Sequence, residues 1–97
     1  MYYAIYCNDR PGRLHVRQET RPAHIDYLKS KGAMILAGGA TLQEDNETMC
    51  GSLLIIEADS LAEAEEFAAN DPFAKAGLFE SVTVRPWRFA LGTLKPE

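Results

Sequence analysis

The sequence predicts an α+β domain whose strands and helices follow one another in the order β-α-β-β-α-β. Short apolar runs rich in aromatic and branched residues are typical of strands, and the chain carries four of them. Two stretches with apolar residues at helical spacing separate the first run from the second and the third from the fourth. This order is that of the split βαβ, or ferredoxin-like, arrangement, and the right-handed crossover rule leaves few alternatives to it.

The N-terminal third of the chain predicts strand one and helix one. Residues 2–7 form an aromatic and β-branched run, which turn residues end at positions 8–12. Residues 13–19 fit either a strand or the approach to a helix. Thr20 is a favourable N-cap, so we expect helix one over residues 20–31.

The middle of the chain predicts two strands joined by a hairpin loop. Residues 33–38 are a continuous apolar run and predict strand two. Residues 39–49 are polar and acidic, which favours a loop. Residues 52–58 are again apolar and predict strand three.

The C-terminal part predicts helix two, one short helical turn and strand four. Ser60 and Glu63 have the spacing of a capping box at a helix start. The apolar face of that helix is expected to comprise Leu61, Ala64, Phe67 and Ala68. Asp71 stands before a proline, which predicts the N-cap of a further short turn. Residues 81–90 predict strand four, where Pro86 marks an edge or a bulge.

Composition narrows the classes of function. A net charge of −4 does not suit general binding to nucleic acid or to anionic membranes, which need basic surfaces. No apolar run approaches the roughly 20 residues that span a bilayer, and the first residues lack the pattern of a signal peptide. Cys7 and Cys50 have no Cys-x-x-Cys spacing, so we expect two free thiols in a reduced, cytoplasmic setting.

The small size of the chain predicts a second copy as its partner. Its 97 residues constitute one domain, which buries only about two-thirds of its unfolded surface. Strands two and three carry apolar residues at consecutive positions, so both faces of the sheet need cover. The helices cover one face, and we expect a homodimer to cover the other.

A histidine and an aspartate are the best lead to function. In the predicted topology His24 follows strand one and Asp71 follows helix two, so both reach the same end of the sheet. Gly38 and Ser52 belong to segments that end and open strands at this end. An imidazole beside a carboxylate can move protons near neutral pH.

Structural explanations of the same residues stay open. Asp71 before a proline is fully explained as a helix cap, and a lone histidine in a helix is more often structural than catalytic. Arg21 can serve solubility alone. Metal binding by His24, Asp71 and Cys50 is disfavoured because no pair has the spacing of a metal motif.

Several short stretches resemble the YCII-related proteins, and the resemblance covers nearly the whole chain as a single domain, residues 1–97. The matching stretches are Y-A-I (3–5), R-P-A-H (21–24), A-G-G-A (37–40), G-S-L-L-I (51–55), D-P-F-A-K-A-G-L-F (71–79) and R-P-W (85–87). The resemblance implies a dimeric α+β barrel whose active site contains His24 and Asp71. Most members of the family have no established reaction. Some resemble dehydrochlorinases of chlorinated aromatic breakdown, and the wider superfamily includes lactone isomerases and monooxygenases.

Two hypotheses of function follow. In the first, the chain is a small enzyme without cofactor or metal that moves a proton, as a lyase or isomerase does, on an aromatic or lactone-like molecule. His24 acts as general base or acid, and Asp71 orients the ring and stabilises imidazolium. Arg21 holds an anionic or phenolate oxygen, Ser52 donates a hydrogen bond, and Gly38 lets the ligand approach the backbone. In the second, the same pocket only binds a small molecule, in a non-catalytic or accessory dimer.

Overall fold

The computed structural model describes residues 1–94, in which a four-stranded antiparallel sheet has the strand order β2-β3-β1-β4. The elements are β1 (Tyr2–Asp9), α1 (Leu14–Lys31), a 3-10 turn (Gly32–Met34), β2 (Ile35–Leu42), β3 (Met49–Glu57), α2 (Leu61–Ala69), α3 (Pro72–Lys75) and β4 (Phe79–Trp87). The predicted ferredoxin-like order is confirmed, and strands one and four are neighbours as expected. None of the helices within these residues combines the length and apolarity that crossing a bilayer requires.

The core lies between the helices and one face of the sheet. Alternation along β1 and β3 directs one set of side chains towards the helices. The buried core cluster comprises Tyr3, Ile5, Cys7, Leu54, Ile56, Ala58, Ala64, Phe67 and Ala68. Burying one large apolar side chain is worth about 1.5–3 kcal/mol, so this cluster holds the helices on the sheet. Leu61, expected on the same helix face, is 40% exposed instead.

The opposite face of the sheet is open in the single chain. Tyr6 and Leu53 are register partners on β1 and β3. Each alternates with buried neighbours and is itself 45% exposed. An apolar sheet face of this kind is what a second subunit would cover.

Helix α1 begins at Leu14, six residues before the expected start at Thr20. Its N-cap, Arg13, makes no side-chain capping bond, so the sequence carries no start signal there. Pro22 lies inside the helix, where it removes one backbone hydrogen bond. The first turns of α1 are stabilised because the buried Arg17 forms an ion pair with Asp9 on β1.

Strand β2 runs to Leu42, beyond the expected end at Gly38, so the hairpin loop is shorter than predicted. Gly38 pairs with Leu54 and continues the ladder. The loop is closed by Asp45, whose carboxylate accepts from two backbone N–H groups and from the hydroxyl of Thr48. These hydrogen bonds lower the pKa of Asp45, the side-chain bond from Thr48 most of all.

Gly51 is the position where the sheet requires a glycine. A side chain built there would collide with the carbonyl oxygen of Cys7 and the hydroxyl of Thr41. The close approach brings β3 against β1 at the end of the sheet that carries Ser52.

Candidate active site

His24 and Asp71 meet at one end of the sheet, as the topology predicts. The Nδ1 atom of His24 lies 2.8 Å from Oδ1 and 3.0 Å from Oδ2 of Asp71. Both residues are buried, with exposed fractions of 8% and 4%. The structure confirms that the pair is in contact, and its part in a reaction stays a prediction.

Asp71 is also a helix cap, so the structure shows both its contact with His24 and the cap expected before a proline. Its Oδ1 atom accepts a hydrogen bond of 2.9 Å from the backbone N–H of Phe73, the second residue of α3. The short helix is therefore fixed by the same carboxylate that holds the imidazole. This placement brings Phe73 into the site.

Phe73 is packed between two charged or polar side chains of α1. Its ring stacks on the His24 ring with centroids 4.0 Å apart and 16° between the planes. The guanidinium carbon of Arg17 lies 4.6 Å from the centroid of the same ring. Arg17 and His24 are seven residues apart, about two helical turns, so Phe73 occupies the space between them.

Arg17 is the site residue that sequence reasoning missed. Its Nε and Nη2 atoms donate to the two carboxylate oxygens of Asp9 at 2.7 and 2.8 Å, and Nη2 also donates to Ser52 Oγ at 2.9 Å. The ion pair is bidentate and buried. One sequence pattern could have identified Arg17. An arginine seven positions before a histidine lies on the same helix face, provided that the helix extends back to Leu14.

A cavity of about 150 Å³ opens beside this cluster. It is lined by His24 and by the predicted ligand-binding residues Arg21, Ser52 and Gly38, together with residues of α1, β2, β3 and α3. Asp71 is not among the lining residues, because it lies behind the imidazole. It can orient His24 without touching a ligand.

The predicted ligand-binding residues differ in their surroundings. Ser52 is 2% exposed and bonded to Arg17. Arg21 is exposed and makes no ion pair with any other residue among 1–94, so it stands at the rim of the cavity. A side-chain carbon added at Gly38 would meet Leu54 at an ordinary contact distance of 3.5 Å. The close backbone approach expected at this rim occurs within the chain at Gly51 instead.

No three His, Cys, Asp or Glu side chains among residues 1–94 are grouped to hold a metal ion. Cys7 and Cys50 are both free thiols, the first buried and the second partly exposed. It stays a prediction that the chain functions without a metal ion or cofactor.

Cys7 lies on β1 next to the site. It is the register partner of Ser52, so both side chains face the helices. The pKa of the Cys7 thiol is raised from its ordinary 9.0 to about 12, mainly by burial and also by the charges of Asp71 and Asp9, while Arg17 acts in the opposite direction. The thiol is therefore protonated and inert at neutral pH.

We expect the free energy of unfolding to fall as pH rises above 9, in part because of Cys7. In the unfolded chain this thiol loses its proton near its ordinary pKa, whereas in the folded chain it keeps the proton up to about pH 12. The folded state then binds more protons than the unfolded state, which lowers stability with rising pH. Denaturant titrations from pH 7 to 10.5 should show a smaller fall in Cys7→Ala than in Cys50→Ala, the control thiol. Equal falls in the two variants would contradict the assignment.

Comparisons with known proteins agree on one family. The family model of the YCII-related domain matches residues 1–88. The protein YciI of Escherichia coli O6:H1 is 34% identical over 95 residues, which cover 91% of this chain and 97% of YciI. A structure of 5-chloro-2-hydroxyhydroquinone dehydrochlorinase (TftG) from Burkholderia phenoliruptrix AC1100, in complex with 2,5-dihydroxybenzoquinone, superposes with a TM-score of 0.85. It is 45% identical and covers 93% of this chain and 96% of its own.

A more distant structure shares the fold alone. An antibiotic biosynthesis monooxygenase superposes with a TM-score of 0.57 at 12% identity, over 94% of this chain and 100% of its own. The family model and the relatives at 34% and 45% identity cover nearly all of the described residues. The chain therefore belongs to the family of YCII-related domain proteins.

Proposed function

We propose that the chain catalyses proton transfer, of lyase or isomerase type, on a single-ring molecule that carries oxygen substituents. The observation that supports this most directly is a buried His–Asp pair at the wall of a cavity of about 150 Å³. A cavity of about this volume suffices for one benzene ring. The similar structure of TftG holds a single-ring compound, 2,5-dihydroxybenzoquinone.

In this proposal His24 carries the proton and Asp71 positions His24. An ionised carboxylate only accepts hydrogen bonds, so the Nδ1 atom that contacts Asp71 carries the ring proton. In the neutral ring the other nitrogen, Nε2, is then unprotonated and can act as a base. Asp71 stabilises the imidazolium that forms, and Phe73 keeps the ring plane fixed by stacking.

A chlorinated hydroxyhydroquinone illustrates how such a pair would serve an elimination. Two hydroxyl protons are lost, one proton is delivered to the carbon that bears chlorine, and chloride leaves with the electron pair of the C–Cl bond. The net loss is HCl, and the product is a hydroxyquinone. His24 would take a hydroxyl proton and return it to carbon, which is general base and then general acid catalysis.

The test uses 5-chloro-2-hydroxyhydroquinone as substrate, with chloride release as the measurement, and 2,5-dihydroxybenzoquinone as a binding probe. Chloride release that depends on His24 supports the proposal. Binding of the quinone without chloride release favours the alternative of a non-catalytic binding protein. If the chain neither binds nor turns over either ring, the proposed substrate class is wrong.

Asp71→Asn is expected to lower chloride release while leaving the melting temperature nearly unchanged. Asparagine caps a helix about as well as aspartate, but it does not stabilise imidazolium by charge. The loss should be smaller than that in His24→Asn, because His24 carries the proton itself. Asp71→Ala should in addition lose about 1 kcal/mol of stability with the cap. Full activity of Asp71→Asn would reduce Asp71 to a helix cap.

We also propose that the active form is a homodimer in which a second copy covers the open face of the sheet. The exposed partners Tyr6 and Leu53 lie at the middle of that face. A stable interface buries about 800 Å² on each partner, which a sheet face of four strands can supply. Sedimentation should give twice the chain mass at micromolar concentration, and Leu53→Lys should reduce it to one chain mass. A single-chain mass for the unmodified protein would overturn the proposal.

A further inference from the structure

We propose that the ligand of the active-site cavity is a ring that carries a carboxylate on a short side arm, and that a second cavity, formed with Arg10 and Arg13, receives this carboxylate. The proposal rests on the proposed function in placing the ring beside His24. It goes beyond that function because it names a substituent of the ligand and the residues that bind it.

The second cavity lies beside the first, between the turn that joins β1 to α1 and the β2–β3 hairpin, and has a volume of about 270 Å³. Its walls are residues 9–14 of the turn and Gln43, Thr48, Met49 and Cys50 of the hairpin. Met49 lines both cavities. Arg17, which lines the first cavity, is bonded to Asp9, which lines the second. The two cavities are therefore neighbours, separated by Met49 and by this ion pair.

Met49 is the flexible part of the wall between the cavities. Its side chain is half-buried, unbranched and able to adapt its shape through three rotatable bonds. The ion pair of Arg17 and Asp9, by contrast, is buried and fixed by two hydrogen bonds. A side arm on the ring would therefore pass Met49, and the two cavities would then form one continuous site.

Arg10 and Arg13 give the second cavity its positive charge. They stand at the two ends of the turn at Pro11 and Gly12, where Gly12 has a φ of 76°, so their Cα atoms lie within about 7 Å of each other. The backbone N–H of Arg10 donates to the carbonyl oxygen of Leu78 at 2.8 Å, which fixes the turn. Neither guanidinium makes an ion pair or a side-chain hydrogen bond with another residue among 1–94. Both arginines therefore retain their donors for a ligand.

The other charges of the second cavity favour a singly charged group. Asp9 also lines this cavity, and its buried ion pair with Arg17 compensates its charge. The acidic residues at the tip of the hairpin, Glu44, Asp45 and Glu47, are not among the lining residues. Guanidinium groups match the two oxygens of a carboxylate. A dianion such as phosphate would gain less, because it would be repelled more strongly by the nearby carboxylate of Asp9.

The experiment measures by calorimetry the affinities for hydroquinone, for 3-(2,5-dihydroxyphenyl)propanoate and for the corresponding amide, all under nitrogen. The amide has nearly the same size as the acid and no charge. At 0.15 M salt the unmodified protein should bind the acid about 10-fold more tightly than the amide, as expected for hydrogen bonds to a charged group.

Variants of the two arginines locate the carboxylate. Arg10→Gln and Arg13→Gln should each reduce the preference for the acid over the amide about threefold, and the double variant should abolish it. Arg88→Gln is the matched control, because Arg88 follows the register partner of Tyr2 and so lies at the opposite end of the sheet. This control should leave the preference unchanged.

Met49→Ala tests the passage between the cavities. The variant should raise the affinity for the propanoate relative to that for hydroquinone, because the side arm no longer has to displace the methionine side chain. An unchanged or lower ratio of the two affinities would contradict the passage at Met49.

Equal binding of acid and amide by the unmodified protein would overturn the proposal, as would a preference for the acid that a folded Arg10→Gln/Arg13→Gln variant retains. Failure of all three compounds to bind would also overturn it. These measurements need no turnover, so the preference for the acid should persist in His24→Asn. A preserved preference without chloride release from 5-chloro-2-hydroxyhydroquinone would contradict the proposed function alone, and chloride release without the preference would contradict the carboxylate site alone.

Discussion

We expect His24→Asn to lower turnover by about 10²- to 10⁴-fold while the protein remains folded, which is the range that a general acid–base group contributes. The reason is the position of the imidazole, whose Nδ1 is held by Asp71 and whose ring lines the cavity. Asparagine can still donate a hydrogen bond to Asp71 but has no nitrogen that accepts a proton near neutral pH. The measurement is chloride release from 5-chloro-2-hydroxyhydroquinone under saturating substrate.

Binding measurements distinguish a role of His24 in proton transfer from a role in ligand recognition, and thermal melts show whether the variant is folded. The affinity for 2,5-dihydroxybenzoquinone should change only a few-fold, since the other residues that line the cavity are unchanged in this variant. A parallel loss of turnover and binding would indicate that His24 recognises the ligand and does not move a proton. Turnover within threefold of the unmodified protein would remove His24 from the mechanism.

Asp9→Ala is expected to lower the free energy of unfolding by about 3–5 kcal/mol, the usual cost of leaving one partner of a buried ion pair uncompensated. Arg17 is 3% exposed and would retain its charge without the carboxylate that accepts two of its hydrogen bonds. A small domain has only about 5–15 kcal/mol of stability in total, so this variant loses a large share of it. Urea denaturation followed by circular dichroism measures the change.

The double variant Asp9→Ala/Arg17→Leu is the control for this prediction. Replacing both members of a buried pair with apolar groups is often close to neutral, so the second change should restore part of the lost stability. If Asp9→Ala costs less than about 1 kcal/mol, the ion pair does not anchor α1. If the double variant is less stable than Asp9→Ala, the stacking of Arg17 on Phe73 outweighs the uncompensated charge.

The meeting of His24 and Asp71 was predictable from the sequence because it depends on connectivity. Once four strands and two helices are ordered, the ends of the sheet to which each segment leads are determined. The exact start of α1 did not matter for this pair. His24 lies in the middle of the helix and not in its first turn, yet it still faces α3.

Arg17 was not predictable by the same reasoning, because its position depends on a tertiary contact. Residues before Thr20 have no capping side chain, and Pro22 argues locally for a helix start near it. Only the bond to Asp9 on β1 shows why the helix extends back to Leu14. Similarly, Gly38 and Gly51 look alike in the sequence, and only the packing of Thr41 and the Cys7 carbonyl distinguishes them.

The double use of Asp71 has a consequence for how this domain can diverge. One carboxylate contacts the imidazole and caps α3, so a descendant without the proposed reaction would still be selected to keep an oxygen acceptor at this position. Aspartate or asparagine at position 71 is therefore a poor marker of activity among relatives. Position 24 makes no such contribution to a helix start. If His24 carries the proton as proposed, loss of its imidazole is the change that would separate descendants that catalyse from descendants that only bind.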